Sequence, residues 1–249
     1  MQKLFTILCL LSLISCSQPE AYPWLYSLDP GSGHMESGER LMSLNLGLNA
    51  LEETNGDEEI LFIGVHGSKS QGYEWIYPLQ TVDNQNTAVY FYRWDDSACS
   101  FPSTEFLDTH IGSLLEQNPK FQLVVLMGHS YGGVLVSSFV DSWKHSLPVE
   151  IHSVAGPLKG IKGLNIACNY KPPIQVSKNV TFYQWRTKHH LDSAFNKQKE
   201  DPQIIDLKDS KVVRLPDTYR GRRLGHNWSI SWVADEMDAS TTNVSPIKE

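Results

Sequence analysis

Leu123-Val124-Val125-Leu126-Met127-Gly128-His129-Ser130-Tyr131-Gly132-Gly133 is the stretch on which the reading of the fold turns. Its first half, extended back to Gln122, is a short apolar, β-branched run, the pattern of a strand buried on both faces of a parallel sheet. The second half is a Gly-x-Ser-x-Gly pentapeptide that leads into a helix-like segment, Tyr131 to His145, with Val134, Leu135, Phe139 and Val140 on its inward face. A serine at a strand-to-helix turn must take strained dihedrals. Small neighbours leave room for adjacent backbone while its hydroxyl stays exposed above the sheet. Ser130 is therefore a candidate nucleophile.

Outward from this stretch the pattern repeats. Ile60 to Val65, Ala88 to Trp94, Val149 to Val154, Val180 to Trp185 and Val212 to Leu215 read as further short strands. Between and after them lie helical segments, among them Thr104 to Gln117, with Phe106, Ile111, Leu114 and Leu115 spread over one face, and Trp228 to Met237. Alternating strands and helices predict an α/β fold, a mostly parallel central sheet flanked by helices on both faces, with ligands beyond the carboxyl ends of the strands. Leu41, Leu44, Leu48 and Leu51 fit a helix, while Leu44, Leu46 and Leu48 alternate as in a strand; Gly47 weakens the helical reading, which is nonetheless preferred.

The 249 residues suffice for one sizeable core, and a monomer is expected. The formal charge of -7 argues against a nucleic-acid partner, which would need a basic face for phosphate contacts. At the start, Met1-Gln2-Lys3 precedes an apolar run too short to span a bilayer comfortably, as in an export signal. That run ends in Leu13-Ile14-Ser15-Cys16, which resembles the lipobox of bacterial lipoproteins. The resemblance implies cleavage before Cys16, lipidation of that cysteine and a membrane anchor, with Ser17 favouring the outer membrane of the cell envelope. The expected organisation is a signal peptide over 1–15, a polar, turn-rich tether over 16–39, a folded domain over 40–238 and a flexible tail over 239–249. In an oxidising compartment Cys99 and Cys168 could pair, two buried free thiols being the alternative. No Cys/His spacing suggests a metal site.

Ser130 in this context resembles the nucleophile of the α/β-hydrolase fold, in its lipase and esterase-like branch, and the likeness covers roughly residues 60–237. It implies that the backbone N–H of Tyr131 is one donor of an oxyanion hole. Val65-His66-Gly67-Ser68 looks like the family's His-Gly turn, which would supply the second donor from Ser68 or Gly67. The family order of serine, acid, histidine places the base at His226, in Leu224-Gly225-His226-Asn227-Trp228. Four aspartates lie between Ser130 and His226: Asp192, Asp206, Asp209 and Asp217. Asp192 is preferred because it follows the strand after which the family places its carboxylate, with Asp217 second. His66, His129 and Trp75 are candidate pocket residues, and Tyr73, Trp75 and Tyr77 a candidate aromatic wall. Arg220, Arg222 and Arg223 crowd the approach to His226, Asp95 and Asp96 follow a strand, and the stretch from Gly156 to Pro173 is the one plausible lid, a short one.

The resemblance implies a serine hydrolase that cleaves carboxylic esters through an acyl-serine intermediate, with a small-molecule or lipid ester as substrate and no cofactor or metal. The same machinery serves acyltransferases, thioesterases and amidases, and the fold also occurs as a non-catalytic binding module.

Overall fold

The computed structural model describes residues 24–241; the expected export signal, Cys16 and residues 242–249 lie outside them. Seven strands form the central sheet: β1 (Gly47–Ala50), β2 (Ile60–Val65), β3 (Thr87–Arg93), β4 (Leu123–His129), β5 (Val149–Val154), β6 (Val180–Arg186) and β7 (Lys211–Arg214). They lie in the order β1-β3-β2-β4-β5-β6-β7. Only β1 pairs antiparallel, along β3, and the other pairings are parallel. Six α-helices accompany them: α1 (His34–Met42), α2 (Tyr73–Val82), α3 (Ser100–Gln117), α4 (Tyr131–Ser137), α5 (Lys162–Ala167) and α6 (Ser229–Thr241). A small hairpin, β8 (Thr218–Tyr219) with β9 (Arg222–Arg223), stands outside the sheet.

The two-residue period of the strands divides the core. Leu61, Ile63 and Val65 of β2 and Val124 and Leu126 of β4 face Leu107 and Ile111 of α3 and Val134 and Leu135 of α4. Their alternates, Phe62, Val125 and Met127, join Leu41 of α1, Trp75, Ile76 and Leu79 of α2, and Ile230 and Val233 of α6 on the other face. Each fully buried aliphatic side chain contributes about 1.5–3 kcal/mol. Because both faces are covered, the strands read as continuous apolar runs. The chain steps from β2 to β3 on one side and returns to β4 on the other, so the switch point lies between the carboxyl ends of β2 and β4. A crevice for ligands belongs there.

Four expectations change. Residues 24–39 are part of the folded unit and not of a tether: Trp24, Leu25 and Leu28 are buried. The Gln80 side-chain amide of α2 donates to the Leu25 and Leu28 carbonyls, so this segment is fixed by both apolar burial and hydrogen bonds. The ambiguous Leu41 to Leu51 segment divides, with α1 ending at Met42 and β1 beginning at Gly47. The edge of β3 offers hydrogen bonds that a lone helix end cannot match. The helix after Ser130 stops at Ser137, where the amides of Ser138, Phe139 and Val140 bond three residues back and tighten the coil, yet Phe139 and Val140 stay buried. Finally, α6 runs to Thr241, past the expected end of the domain at Asp238.

Candidate active site

β4 ends and α4 begins with no intervening loop, and Ser130 absorbs the reversal with φ 54° and ψ -117°. For a residue with a Cβ this is a strained conformation, which persists only where the surroundings dictate it. They do so through close backbone packing. A Cβ on Gly132 would stand 2.2 Å from the Val65 carbonyl oxygen and 2.5 Å from that of His66, so only glycine lets α4 start against the end of β2. A Cβ on Gly67 would likewise stand 2.9 Å from the Cβ of Ser130, which places the turn after β2 directly over the serine. The Ser130 amide donates to the Val154 carbonyl at 2.9 Å and ties the turn to β5.

Gly67, Ser68, His129, Ser130 and His226 line one cleft of about 200 Å³ at the switch point, together with Tyr73, Glu74 and Asn227. Among the described residues the amides of Tyr131, Gly67 and Ser68 donate to no protein group. They are therefore free to meet an oxygen bound next to Ser130. The Ser130 hydroxyl makes no hydrogen bond there either, and in unliganded enzymes such bonds commonly tighten only with substrate.

The loop after β6 carries Asp192, which is fully buried. His226 Nδ1–H donates to Asp192 Oδ2 at 2.9 Å, which fixes the tautomer and leaves Nε2 as the free base. The same oxygen accepts from the Thr187 hydroxyl at 2.5 Å, and Oδ1 accepts from the Ala194 amide at 2.9 Å. Burial pushes the Asp192 carboxyl up, but the bond and charge of His226 with those two donors outweigh it and hold the group below the usual carboxylate range. Phe195 meets the His226 ring edge-on at 5.0 Å, and His129 packs on it at 4.7 Å. Of the other aspartates, Asp217 pairs on the surface with Lys188, and Asp206 and Asp209 are exposed.

His129 lines the cleft and donates through Nε2 to the His226 carbonyl at 3.1 Å. Burial, then the neighbouring His226, push its imidazole down to about 3. His66, in contrast, is not a pocket residue. Its Nδ1–H donates to the Gly67 carbonyl, its Nε2 accepts from the Trp94 amide and the Arg93 guanidinium, and its own carbonyl accepts from the Trp94 indole. Both ring nitrogens and the carbonyl of His66 thus brace the turn after β2, and burial pushes its imidazole down to about 4. Trp75 is also displaced from the expected wall. It is wholly buried beneath Gly64 and Phe91, because helical spacing turns it toward the sheet, and of the three aromatic candidates only Tyr73 reaches the cleft.

Arg220 stacks on Tyr77 and Tyr219 and pairs with Asp235, and Arg222 lies over Trp228, so neither lines the cleft, and nor does Arg223. Asp96 accepts from the Lys69 amide and Asp95 from Ser97. Cys99 and Cys168 form a disulfide that ties the start of α3 to the end of α5, within the short lid stretch. Among the described residues no group of His, Cys, Asp or Glu is arranged to hold a metal ion. Sequence reasoning missed Thr187, Ser70 and Glu74. Ser70 and Glu74 stand four residues apart with Ser70 Oγ–H donating to Glu74 Oε1 at 2.5 Å, but nothing in that spacing reveals that they share a cleft with Ser130.

No protein-family model matches the chain, and no curated protein matches it in sequence. Solved structures do match its shape. A gene product of Listeria innocua is 10% identical, with a TM-score of 0.54 over 77% of this chain and 97% of its own. A protein described as a candidate thioesterase, from a Silicibacter species, is 17% identical, with a TM-score of 0.54 over 84% of this chain and 90% of its own. At such identities the likeness is one of fold, and together with the mostly parallel seven-stranded sheet it shows that this chain has the α/β-hydrolase fold.

Proposed function

We propose that the protein is a serine hydrolase that cleaves small carboxylic esters through an acyl-serine intermediate. One observation carries the reading: a strained serine and an imidazole held by a buried carboxylate open into the same cleft, beside backbone amides with no protein acceptor. In the proposed reaction His226 Nε2 takes the hydroxyl proton as Ser130 Oγ attacks the ester carbonyl carbon. The resulting oxyanion is met by the amides of Tyr131 and Ser68, and Asp192 steadies the imidazolium without taking its proton. The carbon–oxygen bond to the alcohol then breaks and the imidazolium protonates the departing oxygen. In the second half His226 deprotonates water, the water oxygen attacks the acyl carbon, and the proton returns to Ser130 Oγ as the acid leaves.

Fluorophosphonate labelling tests this directly. Folded wild-type protein is expected to label at Ser130 and to hydrolyse p-nitrophenyl acetate, and Ser130→Ala to do neither. Absence of labelling in folded protein, or equal labelling of the variant, overturns the proposal.

We further propose that the chain is exported and anchored through a lipidated Cys16. The Cys99–Cys168 disulfide supports an oxidising compartment. Radiolabelled palmitate is expected to enter the wild-type protein in cells and not Cys16→Ala; equal incorporation refutes the anchor.

A further inference from the structure

The cleft has a carboxyl wall that the ester chemistry does not use. Glu74, in the first turn of α2, lines the cleft with Ser130 and His226 but is only 8% exposed. Its Oε1 accepts from Ser70, whereas Oε2 is buried and has no hydrogen-bond partner. A buried carboxyl oxygen without a donor is costly, and such exceptions in a folded protein call for an explanation. Beside it, the Asn227 amide nitrogen donates to the Tyr73 hydroxyl. The cleft is small and largely polar, unlike the apolar trough that a long acyl chain needs.

We infer that Glu74 is a substrate-specificity residue: it receives a primary ammonium group carried by a short ester. The inference rests on the hydrolase reading and names its substrate class. Around the carboxyl, Lys69 is the one lysine or arginine that lines the cleft, while His129 is uncharged and Asp192 is sealed behind His226. Burial pushes the Glu74 carboxyl up, although Ser70, then its own backbone amide, the charge of His226 and the Gln71 amide pull it partly back. An ammonium bound in the cleft would act on the carboxyl in the same sense as His226, supplying a compensating charge. A hydrogen bond to a charged partner is worth two to three times a neutral one, so an ammonium is favoured over a hydroxyl at this position.

The test compares three p-nitrophenyl esters of one size: butanoate, 3-hydroxypropanoate and 3-aminopropanoate. Intrinsic reactivity differs among them, so the readout is the ratio of kcat/KM for the amino ester to that for butanoate, in wild type and in Glu74→Gln. The ratio is expected to fall about tenfold or more in the variant, mainly through KM. A ratio unchanged by the substitution, or a fall equally large for the hydroxy ester, overturns the inference while leaving the hydrolase reading intact. Failure of wild type on all three esters overturns the hydrolase reading itself. Should Glu74→Gln not fold, inhibition of the wild-type enzyme decides: propylammonium is expected to block butanoate hydrolysis at about tenfold lower concentration than 1-propanol, and equal inhibition refutes the site.

Discussion

Ser130→Gly should make the protein more stable than Ser130→Ala, the reverse of the usual ranking of these residues. Both substitutions remove the hydroxyl, so their difference isolates the backbone. At φ 54° and ψ -117° a residue with a Cβ stores about 1–3 kcal/mol, which glycine releases. Glycine loses about 0.5–1 kcal/mol more backbone entropy on folding than alanine, leaving a net gain of roughly 1 kcal/mol for Ser130→Gly. In a domain of this size roughly 1 kcal/mol corresponds to about 2–4 °C in Tm. Urea denaturation and calorimetry of the two variants at neutral pH would measure it. A glycine variant less stable than the alanine variant by about 1 kcal/mol, as at an ordinary position, would refute strain at the elbow and with it the physical argument for an exposed, pre-positioned hydroxyl.

Other expectations follow from the same geometry. Asp192→Asn removes the acceptor that fixes the His226 tautomer, so kcat on p-nitrophenyl acetate should drop by about 10⁴-fold with the fold retained; a loss within about tenfold would exclude Asp192 from the triad. Replacing both Cys99 and Cys168 by serine releases a cross-link across a sequence separation of 69, and the urea-derived stability should fall by about 2–4 kcal/mol; an unchanged midpoint would refute a stabilising role. His129 is pushed down to about 3, so it is neutral in the folded protein while the unfolded chain takes up a proton below about pH 6.5. Its contribution is present above that pH and is lost as pH falls toward the folded value, by about 2 kcal/mol at pH 5. His129→Gln should therefore lose about 2 kcal/mol less than wild type between pH 7.5 and pH 5, and an identical loss would show that His129 is not buried neutral.

What could be read along the chain was what depends on near neighbours in sequence. The apolar runs of β2 and β4 needed only local pattern, because strands covered on both faces are apolar at nearly every position. Ser130 was legible as a turn residue because its strain demands small residues at fixed short spacing, and His226 as a candidate because the family that the sequence resembles places its base late in the chain. His66 and Trp75 were misread for the same reason that they are near the cleft in sequence. Proximity along the chain does not say which way a side chain turns, and the sheet's own pleat and the turn of α2 direct both inward.

The amino-acid sequence by itself determined the layered architecture, the turn that exposes Ser130 and the small set of aspartates from which an acid could come. Only the tertiary structure chose among those aspartates, by bringing Asp192 to 2.9 Å from His226 and leaving Asp217 on the surface. It alone drew Trp24, Leu25 and Leu28 into the core, and carried Glu74 from a helix start to the wall of the cleft. The physical reason is common to all three. Burial and hydrogen-bond partnership are properties of segments far apart in sequence that meet only when the sheet is assembled, and no local pattern encodes which partners will meet.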